Sequence, residues 1–201
     1  METLNVFEQL LDYPKENKLI YETHLSEKRF YLSPNDPIQN NKYIVFKKQN
    51  LIFCASDSYS AKAGSSQTFT GIYCPIRLKP EKELKLTRKY WSDFLFIINK
   101  RKTGIDRIDK NFTLCARKDW NFNALLNENT THLFQELEKE ISPLKLIIQY
   151  DYLPKISELK GQQVIGLETN EWISEEEKVR HFLDLGGKLI NQIISASERS
   201  I

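Results

Sequence analysis

The chain has 201 residues, 40% of them hydrophobic and 11% aromatic, which is enough to bury a core without disulfide or metal staples. Its 29 Lys and Arg stand against 27 Asp and Glu, so the net charge of +2 excludes a uniformly basic or acidic chain. No apolar run reaches the roughly 18 residues of a membrane-spanning helix, and Glu2, Asn5, Glu8 and Gln9 break up the first residues in a way no signal peptide tolerates.

In chain order, Leu4, Phe7, Leu10 and Leu11 recur at helical spacing and Pro14 stops the pattern. A second short helix is expected from about Glu16 to Leu25. Ser33-Pro34-Asn35-Asp36-Pro37, continuing to Asn41, has the turn chemistry of a loop. The period then changes to two. Tyr43–Phe46 and Leu51–Ala55 are short strands, with Lys47-Lys48-Gln49-Asn50 as the hairpin loop between them. Ser56–Gln67, rich in Ser, Ala and Gly, is expected to be a mobile connection. Ile72, Cys74, Ile76 and Leu78 alternate with Tyr73, Pro75, Arg77 and Lys79, the pattern of a strand with one solvated face. Pro75 cannot donate to a ladder, which places this strand at an edge or a bulge.

Lys85–Trp91 fits strand or helix, and Phe94–Ile98 is an apolar run expected to be a buried strand. Lys100–Lys110 is a charged turn region around Gly104, followed by a strand at Phe112–Ala116. Ala124–Leu126 and Thr131–Leu137 are expected to be helical. Leu144, Leu146, Ile148 and Tyr150 alternate as a strand, and Val164–Leu167 is a further short one, with Pro154 and Gly161 bracketing the connection. The last element has the strongest signals. Ser174 as N-cap with Glu177 three residues later forms a capping box, and Glu175, Glu176 and Glu177 favour the positive end of a helix dipole. Val179, Phe182, Leu183, Leu189, Ile190, Ile193 and Ile194 then fall on one stripe. Gly186-Gly187 interrupt it, either for close packing or as a break.

Strands and short helices do not alternate regularly. The expected class is α+β, with a largely antiparallel sheet, short N-terminal helices and a long C-terminal amphipathic helix. One domain over 1–201 is expected, made of a helical segment at 1–30, a sheet-rich body at 42–168 and a closing helix at 174–197.

The chain carries no GxGxxG, GxxxxGK[ST], HExxH, paired CxxC or GxSxG, so no common nucleotide cradle, zinc site or nucleophile elbow is signalled. Cys54, Cys74 and Cys115 are scattered, the pattern of reduced thiols in a cytoplasmic protein. His24, His132 and His181 are isolated. His181 shares a helix face with Glu177 and Asp184, where an ion pair on a solvated face is expected. Asp106 and Asp109 could bind a metal, but Arg101, Lys102, Arg107 and Lys110 surround them and local salt bridges account for them. Ser56, Ser58, Ser60, Ser65, Ser66, Thr68 and Thr70 have no base or oxyanion device beside them. No catalytic residue, metal or cofactor is expected.

Charge is unevenly spread. From Arg77 to Lys118 there are 13 Lys and Arg against five Asp and Glu, while the rest of the chain is acidic. Lys85, Arg88, Lys89, Lys100, Arg101 and Lys102 form the candidate binding patch. They are interleaved with Tyr90, Trp91, Phe94 and Phe96, cations for phosphates beside rings that can stack on bases.

Thr103-Gly104, Asp109, Phe112, Asp119 and Leu125-Leu126, with Phe69-x-Gly71-Ile72-Tyr73 upstream, form a stretch that resembles an uncharacterised family of bacterial proteins. In that family a Thr-Gly…Asp-x-x-Phe stretch opens a strand, and membrane helices often precede the domain; none is seen here. The resemblance implies no activity and no catalytic residue. The functional expectation is a non-catalytic cytoplasmic interaction protein whose partner is a protein. The alternatives are a nucleic-acid or phosphate-binding accessory protein using the basic 77–118 region, with an anionic membrane surface as another partner for the same charges, and an enzyme with an unrecognised site. Self-association is left open.

Overall fold

The structure, a computed structural model, describes residues 6–29, 37–60, 65–79, 82–90, 99–117 and 120–198. Among them are α1 (Val6–Glu16), β1 (Tyr21–Arg29), β2 (Pro37–Lys48), β3 (Leu51–Ser60), β4 (Ser65–Pro75), β5 (Leu84–Arg88), β6 (Lys100–Arg101), α2 (Asp106–Asn111), β7 (Phe112–Ala116), α3 (Glu128–Glu140), β8 (Leu144–Tyr150), β9 (Gln163–Thr169) and α4 (Glu176–Glu198). The class is mixed α+β, and the strand pairs β1–β2, β2–β3, β5–β7, β5–β8 and β6–β7 are all antiparallel. The chain divides into two compact units, Met1–Ile72 with Thr169–Leu183, and Tyr73–Glu168 with Asp184–Ile201.

In the first unit the strand order is β1-β2-β3-β4. Phe7, Leu10 and Tyr13 turn one face of α1 inward. Tyr13 lies 5.5 Å from Phe46, which stacks on Phe53 at 4.4 Å, and these rings anchor the core beside Ile44 and Leu51–Ala55. Pro14 does not stop α1, which continues to Glu16. The stop lies at Lys18. The Lys18 N–H donates to the Lys15 carbonyl (3.1 Å) and the Leu19 N–H to the Pro14 carbonyl (2.8 Å), with Lys18 at φ 53°. That paired bond pattern around a left-handed residue is a Schellman C-cap.

The second N-terminal helix expected from Glu16 to Leu25 is absent among the described residues: Glu16 ends α1, 17–20 turn the chain, and β1 starts at Tyr21. Apolar burial does not hold this segment, since Ile20 and Leu25 are 88% and 67% exposed. The strand instead gains a ladder, pairing with β2 from Tyr21↔Phe46 to Arg29↔Pro37. His24 stacks on Tyr43 at 5.0 Å. The expected loop through Asn41 is corrected in the same way, because β2 begins at Pro37; Ser33–Asp36 lie outside the described residues.

Most of the expected connection at Ser56–Gln67 is also strand. β3 runs to Ser60 and β4 starts at Ser65. Polar cross-strand bonds replace apolar burial here. Asp57 takes the Thr68 hydroxyl at 2.7 Å and the Lys42 ammonium at 3.4 Å, and the Ser58 hydroxyl donates to the Gln67 carbonyl at 3.4 Å. The hairpin loop between β2 and β3 shortens from four residues to Gln49-Asn50, with Gln49 at φ 59°. β4 is buried on both faces from Ile72 to Cys74, not on one, and Pro75 is its last residue.

In the second unit the order is β9-β8-β5-β7-β6. Every residue of β9 is buried. Leu84 and Leu86 of β5 meet Ala116 and Leu114 of β7 on one side and Ile148 and Leu146 of β8 on the other. Asn127 caps α3, its Oδ1 accepting from the Asn129 and Thr130 amides at 3.0 and 3.1 Å. The expected helix at Ala124–Leu126 is a turn leading into that cap. Phe134 of α3 meets Phe112 edge-on at 5.1 Å.

The helix α4 runs unbroken through Gly186 and Gly187, both buried, so no break falls there. Its expected stripe is buried except at Ile194, which is half-buried. The Val179 N–H donates to the Glu175 carbonyl at 2.9 Å. Glu175 therefore holds the N-cap position, one residue later than the capping box places it, and the Ser174 hydroxyl donates to Gln9 Oε1 at 3.4 Å. Among the described residues no helix is long and apolar enough to cross a membrane.

Candidate functional site

A groove of about 1120 Å³ opens in the second unit. Four elements contribute to it. β5 ends at Arg88 opposite Phe112, and the Lys89 N–H extends the pairing to the Asn111 carbonyl at 2.8 Å. That pairing delivers Arg88, Lys89 and Tyr90 to one rim. The short helix α2 offers Arg107 and Lys110, three residues apart on one face. From α3 come His132, Gln135, Glu136 and Lys139, which follow the i, i+3, i+4, i+7 rule of a single helical face. Lys100, the first residue of β6, completes the lining.

The lining holds six Lys and Arg against Glu136 and Glu138, a surplus of four positive charges with His132 neutral. Glu136 lies 3.5 Å from His132 Nδ1. Glu138 is only 9% exposed. Burial raises its pKa, while the Ser142 hydroxyl (2.9 Å), the Arg88 guanidinium (3.5 Å) and the Leu144 amide pull the other way without cancelling the rise. Arg88 also donates to Ser142 at 2.9 Å, so Arg88, Ser142 and Glu138 form one triangle. Arg107 is held through its bond to the Glu128 carbonyl at 3.1 Å. Lys100, Lys110 and Lys139 make no ion pair among the described residues. Tyr90 is 52% exposed at the rim.

Of the six candidate binding residues, Arg88, Lys89 and Lys100 line this groove. Lys85 is exposed on β5 outside it, opposite Cys115. Arg101 lies over the Phe122 ring at 5.3 Å and donates to the Arg117 carbonyl at 3.1 Å. Lys102 is exposed and outside the lining. Trp91, Phe94 and Phe96 fall outside the described residues. Sequence reasoning passed over Arg107, Lys110 and Lys139. The i, i+3 spacing of the first two and the i+7 spacing of Lys139 from His132 were the available signals.

Other candidate groups serve the fold. Among the described residues Asp109 does not form the expected salt bridges. Its Oδ1 accepts from the Thr103 amide (2.8 Å) and hydroxyl (2.9 Å), and its Oδ2 from the Gly104 amide (3.1 Å). Gly104 sits at φ 80°. The Thr-Gly…Asp-x-x-Phe stretch is therefore a carboxylate-locked turn that delivers Phe112 to the start of β7. Asp106 is exposed. His181 is half-buried, less wet than expected, between exposed Glu177 and Asp184. The Thr70 hydroxyl donates to the Glu171 carbonyl (2.7 Å) and accepts from the Ile173 amide (3.0 Å). Cys54 and Cys74 are buried and Cys115 is half-buried.

A second polar cluster lies deep in the same unit. Glu168, 3% exposed, accepts from Tyr73 and Tyr152 hydroxyls and from the Lys145 ammonium, each at 3.0 Å. Burial first, and then the Glu168 charge, push the Tyr152 phenol far above its ordinary range. Three donors on one carboxylate satisfy it, as a buried charge requires. Among the described residues no group of three His, Cys, Asp or Glu is placed to hold a metal. No family model, curated protein or solved structure matches the chain.

Proposed function

We propose that the protein is a binding protein whose basic groove takes the phosphate backbone of a single-stranded nucleic acid. The observation that carries this reading is the lining itself, in which six cations face two carboxylates in an open groove of about 1120 Å³. Cations spaced along a groove track phosphates, and an exposed ring beside them offers a base a stacking surface. Tyr90 occupies that place at the rim. The enzyme alternative has less support, because Glu168 and Asp109 are saturated with hydrogen bonds that hold the fold. A cytoplasmic setting belongs to the same proposal, on the strength of three scattered cysteines. The likeness of the Thr103–Phe112 stretch to an uncharacterised bacterial family stays a proposal too, and it adds no activity.

Anisotropy of a labelled single-stranded oligonucleotide tests the reading. Each phosphate contact contributes about −0.7 to the slope of log affinity against log salt. Engagement of most of the groove predicts a slope of about −3 to −4, or a loss of roughly a hundredfold in affinity between 50 and 200 mM salt. The double variant K110A/K139A should lower the slope by about 1.4. Absence of binding at 50 mM salt, or an unchanged slope in the double variant, sinks the proposal. Retention on anionic vesicles without oligonucleotide binding would assign the same charges to a membrane surface instead.

A further inference from the structure

The edge strand β1 has no buried face. All nine of its residues, Tyr21–Arg29, are exposed, and among the described residues it ends the strand order of the first unit with β2 on one side only. A long exposed edge invites another strand, and proteins blunt such edges with charge. Here the charges are arranged in a way that selects a partner. We propose that β1 is a self-association edge, on which a second copy of the chain pairs antiparallel about Leu25.

Symmetry limits the register. Two copies of one strand pair antiparallel about a two-fold axis perpendicular to the sheet, so facing residues point to the same side and differ by an even number of positions. Centred on Leu25, the pairing sets Glu22 against Lys28 of the second copy, twice, and Tyr21 against Arg29, twice. Leu25, 67% exposed in the single chain, then meets its own counterpart. Thr23 faces Glu27, and His24 faces Ser26. Moving the centre by one residue, to His24 or to Ser26, leaves no facing pair of opposite full charges.

The charges that would pair between copies have no corresponding role within one. Across the β1–β2 ladder Glu22 faces Val45 and Lys28 faces Gln39. Neither forms an ion pair among the described residues. Arg29 already pairs with Glu27 of its own strand at 2.8 Å, so it enters as a guanidinium held in the strand. Opposite charges on facing positions stabilise a strand pair and like charges destabilise it. The surface is small, nine residues a side against the roughly 20–30 of a standard interface. The association is therefore weak and concentration-dependent.

Sedimentation equilibrium of the full chain, from about 10 µM to 1 mM, tests this proposal, with circular dichroism to verify that each variant is folded. The wild type should shift from monomer to dimer over that range. E22K sets a lysine against Lys28 of the second copy, and K28E sets a glutamate against its Glu22, so each alone should weaken dimerisation at least tenfold. An equimolar mixture of E22K and K28E sets Lys against Glu at both facing pairs of the mixed dimer and should recover dimerisation, and E22K/K28E in one chain should dimerise with itself as the wild type does. A wild type that stays monomeric at 1 mM, single variants that dimerise as the wild type does, or a folded double variant that stays monomeric would each overturn the proposal. The groove of the second unit takes no part in it, so oligonucleotide binding and dimerisation can fail separately.

Discussion

Lys18 shows what one residue can decide. It sits at φ 53° in the left-handed position that closes α1. A side chain with a Cβ is strained there by about 1–2 kcal/mol, and glycine is not. The gain is partly offset by the greater freedom of glycine in the unfolded chain. Lys18→Gly should therefore stabilise the protein by roughly 0.5–1 kcal/mol, read as a higher midpoint in urea denaturation with an unchanged slope; a lower midpoint would show that the lysine side chain contributes more than its backbone strain costs. The cap was not legible in the sequence because helix stops are sought at glycine and asparagine, and here a lysine holds that place. Asp109 was misread for a related reason. Local composition placed it among cations, while its real partners are backbone amides exposed by the turn at Thr103-Gly104.

Elements with a buried, periodic face were legible. The stripe of α4, the alternation in β8 and the apolar runs of β3 and β7 all describe burial that the sequence pattern encodes directly. Elements held by partners were not. β1 has no buried face, and the polar ends of β2, β3 and β4 are strands because each completes a neighbour's ladder. The groove was half legible. Its Arg88, Lys89 and Lys100 lie close together in sequence, but Lys139 reaches it only because α3 lies alongside. That makes α3 a positioning element, and its cap is a handle on it. Asn127→Ala leaves the Asn129 and Thr130 amides without their acceptor and should cost about 1 kcal/mol. Loss of exchange protection confined to the first turn of α3, with retained protection from Phe134 onward, is the expected hydrogen-exchange pattern; uniform protection loss across the second unit would instead mark the cap as part of the global fold.

At the scale of the whole molecule, a net charge of +2 gives little long-range attraction for an anion. The field that matters is local, where the groove gathers its surplus, and Glu138 sets its size. Burial raises the Glu138 pKa in the folded protein. The folded state therefore holds the Glu138 proton to higher pH than the unfolded chain does. The stability associated with that proton is present at low pH and is lost as pH rises from the ordinary carboxyl value through the raised one. Glu138→Gln removes the ionisation and keeps an oxygen for the Ser142 hydroxyl. Its melting temperature should match the wild type near pH 4 and exceed it at pH 7. The same ionisation subtracts one charge from the groove. At pH 7 and low salt, Glu138→Gln should bind a single-stranded oligonucleotide about two- to fivefold more tightly than the wild type, as expected for one charge at partly exposed distances. The advantage should shrink as pH falls and Glu138 takes up its proton. His132 on the same helix and Arg88 on the facing strand are present in both proteins, so their contributions cancel in the ratio of the two affinities. An affinity ratio that stays constant from pH 8 to pH 4 would separate Glu138 from the ligand and leave it a purely structural partner of Arg88 and Ser142.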